Sequence, residues 1–413
     1  MKVAIVTNIL TPYRIPLFEE MKKHVIELKV FLMTENEENR LWDLPEPGFA
    51  TDIIPGFHLK PPKGDISLHF NFGLIHRLKR FSPDVVLSGG FAPANLQALL
   101  YCKLYRKPYV TWGELSRSEG VTKFSGRMFI RKVLCRLSDG AIASSTEAQN
   151  AFLDYGVPSN RLMTCLMPIP IESCNKQVSN FRQSKHFLPL KNRFSNPVLL
   201  SIGQITKRKG IAELFSIYES VIQHKPQASL VIIGEGPDRE SWEQYVQQRN
   251  LQNVHFLGFV QFDQLPQYYS IADVFLFTTL HDPFGAVLLE AMAAKLPVAS
   301  SIHAAATRDL IIDGLTGFQI DPSDTTHASR ITLEILNLSQ ESKNTLTTQA
   351  FQQIHSIDVR PSAKRMVKFL SLLIDTKYSS KGNFEQKPIP NLGETNSSSE
   401  IDRLHTAVGE IHS

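Results

Sequence analysis

Two sets of short, almost uninterrupted apolar runs, each followed by helix-forming sequence, constrain this 413-residue chain more than any other feature. The first set is Val3–Ile9, Leu28–Met33, Asp84–Ser88, Pro108–Trp112 and Gly140–Ser144. The second is Pro197–Ile202, Ser229–Gly234, Val254–Leu257, Val274–Thr278, Pro297–Ser301 and Gly317–Ile320. Strands that are apolar on both faces and alternate with helices belong to parallel sheets covered on both sides. The polar stretch Ser173–Asn196 divides the sets, which predicts two α/β domains, 1–175 and 197–360, joined by a linker at 176–196. Residues 361–376 predict a terminal helix that crosses back to the first domain, with Met366, Phe369, Leu370 and Leu373 along one side. The polar segment 377–413, holding Asn396–Ser399, is predicted to be disordered. Open parallel sheets bind ligands at the carboxyl ends of their strands, so two facing sheets imply an interdomain cleft.

The strand ends of the second half carry most of the chemistry. Leu276–Thr279 runs into the turn His281-Asp282-Pro283-Phe284-Gly285, and Ala286 to about Lys295 has helical composition. A strand that passes through a glycine turn into a helix leaves backbone N–H groups aimed into a crevice, backed by the positive end of the helix dipole. This predicts an anion site at Phe284, Gly285, Ala286 and Val287, with Asp282 and Glu290 both facing the cleft. Asp before Pro is equally an ordinary helix N-cap. A mid-helix glutamate among Leu289, Ala291 and Met292 needs a partner if it is buried. Gly203 ends another strand, and Lys207, Arg208 and Lys209 follow it before Gly210. Such a cluster suits a leaving diphosphate, on which negative charge builds in the transition state. Gly234 and Gly236 close the next strand, and Gly258, Phe259 and Val260 the one after.

The first half is basic. Residues 1–190 hold 24 Lys/Arg against 17 Asp/Glu, whereas 191–379 hold 17 against 18. Nucleic acid would explain the excess, but no aromatic residues interleave with the cations, so that reading ranks last. The segment Thr122–Leu137 predicts a basic amphipathic helix, and its cations from Lys123 to Arg136 offer a surface to anionic lipid. Thr11 and Arg14, past the first strand, and Gly90, at a later strand end, face the cleft on the acceptor side. Trp112 and Glu114 end another strand, and Glu114 is a candidate polar contact or base. Phe57–Phe72, with Pro61-Pro62-Lys63-Gly64, is predicted to be a loop capping that side. Cys102, Cys135, Cys165 and Cys174 show neither C-x-x-C nor zinc spacing and read as free thiols of a reducing compartment. With no secretory leader and no run of membrane-spanning length, the expected location is cytoplasmic, extending to the inner membrane face as a peripheral protein.

Asp282-Pro-Phe-Gly-Ala-Val-Leu-Leu-Glu290, continuing into Ala291-Met292-Ala293, resembles the E-x7-E signature of retaining glycosyltransferases of family 4. The segment Gly203–Gly210 resembles that family's G-R-L-x-x-x-K-G element, and Pro12-Tyr13-Arg14 is similar to a segment of many bacterial polysaccharide transferases. The resemblance implies the α/β GT-B fold, two Rossmann-like parallel-sheet domains facing an interdomain cleft. It also implies metal-independent transfer, with retention, from a nucleotide-sugar such as a UDP- or GDP-sugar to a glycan or lipid-linked acceptor, with no cofactor. By the resemblance Asp282 contacts the transferred sugar, Glu290 the ribose, Lys209 and the amides after Gly285 the diphosphate, and Gly258–Val260 the base. Three departures stand out: Asp282 for Glu, Gln204 for Arg, and Gly113-Glu114 where relatives carry a histidine. A nucleotide-sugar epimerase of the same architecture and a degenerate, non-catalytic nucleotide-sugar-binding protein are the alternatives.

Overall fold

The computed structural model describes residues 1–37, 40–59, 68–115 and 126–379. Its strands are β1 (Lys2–Thr7), β2 (Glu27–Leu32), β3 (Ala50–Ile53), β4 (Gly56–Leu59), β5 (Leu68–Asn71), β6 (Val85–Gly89), β7 (Tyr109–Gly113), β8 (Gly140–Ala143) and β9 (Leu162–Thr164). The second half adds β10 (Val198–Ile202), β11 (Ser229–Ile233), β12 (Val254–Gly258), β13 (Val274–Phe277), β14 (Val298–Ser301) and β15 (Phe318–Ile320). A seven-stranded sheet runs β3-β2-β1-β6-β7-β8-β9 and a six-stranded one β12-β11-β10-β13-β14-β15. The pairings within both are parallel. This is the GT-B arrangement, an α/β fold of two Rossmann-like sheets.

Each sheet has one place where strand order reverses, between β1 and β6 in the first and between β10 and β13 in the second. The connections there diverge to opposite faces and leave a crevice at the carboxyl ends. Residues 203–210 leave β10, residues 278–285 leave β13, and residues 8–14 leave β1, so these three segments border the two crevices.

Burial explains why the strands are so apolar. Val3, Ile5, Val85, Leu87, Val110 and Ile142 are all fully buried in one core beneath the first sheet. Into that same core come Ala363, Met366, Phe369, Leu370 and Leu373 of the last helix, Val359–Ser379. The chain thus ends its described length on the domain where it began. Residues 171–182, at the start of the polar stretch between the two sets, form a helix that packs against the helices Leu265–Ile271 and Ala286–Ala293.

Phe57–Phe72 corrects the loop expectation. β4 and β5 form an antiparallel hairpin, with Phe57 opposite Phe70 and His58 opposite His69. The Pro61–Gly64 tip lies outside the described residues. Interruption by those prolines and the absence of an inward apolar face hid the strands from a pattern reading. β3 and β9 also escaped it, being four and three residues long.

Candidate active site

The loop after β10 reaches the turn after β13 because of one glycine. Gly210 has φ 68°, and a Cβ there would lie 1.8 Å from the Thr278 carbonyl oxygen. Thr278 Oγ1 donates to the Gly210 carbonyl at 3.0 Å, and Leu280 N to that of Arg208 at 2.9 Å. The three cations of this loop then part company. Lys207 is exposed. Arg208 Nη1 donates to the His281 carbonyl at 3.0 Å, holding its guanidinium on the turn. Lys209 makes a short ion pair with Asp282, its ammonium 5.8 Å from the centre of the Phe277 ring. Both partners are largely buried, at 16% and 12% side-chain exposure, so water screens the pair little. Of Lys207 and Arg208, Arg208 is thus the one held against the turn after β13.

Asp282 has a second task. Its Oδ1 accepts from Phe284 N at 3.1 Å, so the carboxylate also fixes the turn. Gly285 follows with φ 102°, where a Cβ would meet the Phe277 ring at 2.7 Å. The helix Ala286–Ala293 begins there, and the first-turn amides of Ala286 and Val287 have no partner within it.

Glu290 lies deeper, and its surroundings differ from those of Asp282. It is 6% exposed, and Tyr269 Oη donates to its carboxylate at 2.8 Å. Burial pushes its pKa up to about 7 against the pull of that hydrogen bond. Glu290 lines a pocket with Tyr269, Cys174, Pro170, Phe262 and Leu265. Asp282 stands outside the helix and Glu290 inside it, so helical spacing does not bring their carboxylates onto one face. The two acids therefore meet different neighbours.

Gly234 and Gly236 serve close packing of loops. A Cβ on Gly234 would lie 1.9 Å from the Gly203 oxygen, and one on Gly236 2.2 Å from the Ile205 oxygen. Nothing lies within 4 Å of a Cβ built on Gly203, which keeps that side open. The Gly258 carbonyl (φ 74°) accepts from Gly234 N at 2.8 Å, and half-buried Phe259 and Val260 follow. Gln261 then crosses the cleft: its side chain donates to the Leu41 carbonyl at 3.1 Å and to Asp43 at 2.9 Å. On another side Asp309 accepts from Thr146 N at 3.0 Å, and Arg308 pairs with Glu147.

On the first domain, Arg14 Nη1 donates to Thr7 Oγ1 at 2.9 Å, its guanidinium carbon 4.9 Å from the Trp112 ring centre. Arg14 and Glu114 are 3.7 Å apart, so the carboxylate has a cation beside it. Thr11 is 5% exposed, and its carbonyl accepts from Arg14 N at 3.0 Å, starting the helix Arg14–Lys22. Gly90 (φ 87°) donates its N–H to the Trp112 carbonyl at 3.1 Å and has open space around it. Tyr13, within the Pro12-Tyr13-Arg14 segment, packs against the core of the second domain, and sequence reasoning missed Tyr269, which belongs to no recognisable spacing.

The helix Gly126–Leu137 carries exposed Lys132 and Arg136 beside exposed Phe129. Lys123 lies outside the described residues. No helix among the described residues is long and apolar enough to cross a membrane.

Residues 185–353 match the family model for glycosyl transferases group 1. The sulfoquinovosyl transferase of Arabidopsis thaliana is 24% identical over 323 residues, covering 74% of this chain and 60% of that protein. An alpha-monoglucosyldiacylglycerol synthase of Acholeplasma laidlawii is 31% identical over 102 residues, 24% of this chain and 26% of its own. The chain therefore spans less than two thirds of these curated relatives. Among solved structures, Anabaena HepE in complex with UDP and glucose superposes with TM-score 0.70 at 19% identity, covering 90% of this chain and all of that one. Sucrose-phosphate synthase from Thermosynechococcus elongatus gives 0.68 at 17%, covering 91% of this chain and 100% of its own. The chain thus has the GT-B fold, and residues 185–353 of its second half are similar to the glycosyl transferases group 1.

Proposed function

We propose that this chain moves a sugar from a nucleotide-sugar, such as a UDP- or GDP-sugar, to a glycan or lipid-linked acceptor, with retention at the anomeric carbon and without a metal. The observation that carries this is the meeting of Lys209 with Asp282, and of Arg208 with the adjacent His281 carbonyl, at the head of the helix Ala286–Ala293. As the bond to phosphate breaks, charge builds on the departing diphosphate. The ammonium of Lys209, the guanidinium of Arg208 and the amides of Ala286 and Val287 are the groups that stabilise it. A diphosphate competes for Lys209 and frees the Asp282 carboxylate to accept from hydroxyls of the sugar. Glu290, held by Tyr269 in its pocket, is the carboxyl suited to two vicinal ribose hydroxyls, and the backbone of Phe259 and Val260 to the base. The contacts of Gln261 with Asp43 and of Arg308 with Glu147 support a closed cleft from which water is expelled.

The acceptor lies on the first domain, beside Arg14, Glu114 and Gly90. Exposed Leu100, Leu104 and Phe129 (50%, 64% and 63%), interspersed with Lys103, Lys132 and Arg136, support a lipid-linked acceptor met at an anionic membrane face. A cell-surface polysaccharide or glycolipid is the product class this favours. The likeness to UDP-bound Anabaena HepE supports the donor class. Incubation with a panel of nucleotide-sugars, read by release of nucleoside diphosphate and by the anomeric signal of the product, tests the reading. Release from at least one donor with the anomeric configuration kept is expected. Binding without release, isomerised donor, or inversion overturns it.

A further inference from the structure

The first domain holds a hydrogen-bonded chain that the transfer chemistry does not use. His58 and His69 face each other across β4 and β5, with their Nδ1 atoms 2.9 Å apart. His69 Nε2 lies 3.1 Å from Glu37 Oε1, which also accepts from Asn8 Nδ2 at 3.0 Å. His69 and Glu37 are buried, at 4% and 9% side-chain exposure, whereas His58 is exposed.

The chain sits at the carboxyl rim of the sheet. Asn8 follows β1 and Glu37 lies beyond β2. Asn71, at the end of β5, donates to the carbonyls of Met33 and Ile54 at 2.6 and 2.9 Å, just past β2 and β3. Leu41 and Asp43, a few residues after Glu37, are the groups that hold Gln261 of the second domain. The histidine pair therefore stands near the mouth of the cleft. The hairpin's polar face is turned inward to make these bonds, and Phe57 and Phe72 are left outward at 53% and 58% exposure.

For two neutral rings, counting protons fixes the tautomers. A carboxylate only accepts, so the proton between Glu37 and His69 sits on His69 Nε2. Neutral His69 then has a lone pair at Nδ1, and the proton between the rings belongs to His58 Nδ1. His58 is left with a bare Nε2 lone pair on its exposed ring. Burial pushes the Glu37 carboxyl up, but the bonds from His69 and Asn8, with Arg40 nearby, outweigh it and bring it below the ordinary range. Burial draws His58 down, which keeps its lone pair. A ring locked as an acceptor repels phosphate and carboxylate and suits a hydroxyl.

Building on the transferase reading, we propose that Glu37, His69 and His58 form an acceptor-recognition relay in which the outer imidazole takes a hydrogen bond from a sugar hydroxyl of the acceptor and orients it at the cleft mouth. The relay makes a specificity-determining residue of His58 and positioning residues of His69 and Glu37.

The test uses the full chain with 15N-labelled histidine and octyl β-D-glucoside as the probe. At neutral pH, NMR should show His58 as the Nδ1–H tautomer, with its Nε2 resonance shifted by the glucoside and not by inorganic phosphate. His69→Phe should abolish that shift. In transfer from UDP-glucose to the glucoside, His58→Ala should raise the acceptor KM about tenfold, the worth of one hydrogen bond to an oriented group. His58→Gln, which keeps an acceptor oxygen, should recover most of it, and UDP affinity should be the same in all variants. An Nε2–H tautomer at His58, no response to the glucoside, or an unchanged acceptor KM in His58→Ala overturns the relay. Failure of the wild-type chain to bind UDP or release it from any donor overturns the transferase reading instead, and the tautomer and titration still decide the relay.

Discussion

The two domains share a topology and build their crevices from different materials. In the second, the crevice is set by main chain: Gly210, Gly234, Gly236 and Gly285 let loops approach where any Cβ would collide. One ion pair, Lys209–Asp282, then sits on that rigid frame. In the first, the rim is made by side chains: Arg14 on Thr7, Trp112 and Glu114, and the histidine pair on Glu37. Gly90 there has open space around it. A frame of close backbone contacts suits a ligand part that never changes, such as a diphosphate. Exchangeable side chains on a common sheet suit a partner that varies.

Five substitutions break or sharpen that contrast. The largest effect is expected from Lys209→Ala, which removes the cation proposed to face the leaving group. A fall of about 100- to 1,000-fold in kcat/KM is expected, with an unchanged circular dichroism spectrum. Near-wild-type turnover would show that the second-domain frame does not host the chemistry.

Next is Glu290→Gln. The folded carboxyl titrates at about 7 against an ordinary 4.5 because burial penalises its charge. Below about 4.5 it is protonated in both states; between 4.5 and 7 the unfolded chain loses its proton first, so stability falls as pH rises and levels off above 7. The span is on the order of 3 kcal/mol. Urea titrations should find this slope in the wild type and a flatter profile in the variant.

Paired glycine substitutions test the frame directly. Gly210→Ala adds a collision with the Thr278 carbonyl to backbone strain at φ 68°, and should cost about 3 kcal/mol. Gly90→Ala, at φ 87° with nothing nearby, should cost about 1 kcal/mol from strain alone. Equal losses on thermal melts would refute the difference between the crevices.

The smallest effect is expected from Arg308→Ala, which severs the contact with Glu147 across the cleft. The partners are partly exposed, so about 0.5 kcal/mol is at stake. Solution scattering should show a slightly more open molecule, and a salt-insensitive profile identical to wild type would remove the pair from closure.

The fold was legible because buried parallel strands must be apolar on both faces, and Val3–Thr7 or Val198–Ile202 admit no other reading. The Gly–cation and Asp-x7-Glu spacings were legible because a backbone frame leaves its mark in glycines close together in sequence. The histidine relay was not, since Asn8, Glu37, His58 and His69 belong to four separate segments with no spacing rule between them.

By itself, then, the sequence determined two parallel α/β domains and the loops at their strand ends, because periodicity and glycine placement act over a few residues. Only tertiary structure decided which of the three loop cations meets Asp282, that Glu290 turns to Tyr269, and that the hairpin turns His69 inward onto Glu37. Those outcomes depend on which distant side chains share a desolvated space, where one hydrogen bond or counter-charge selects the arrangement.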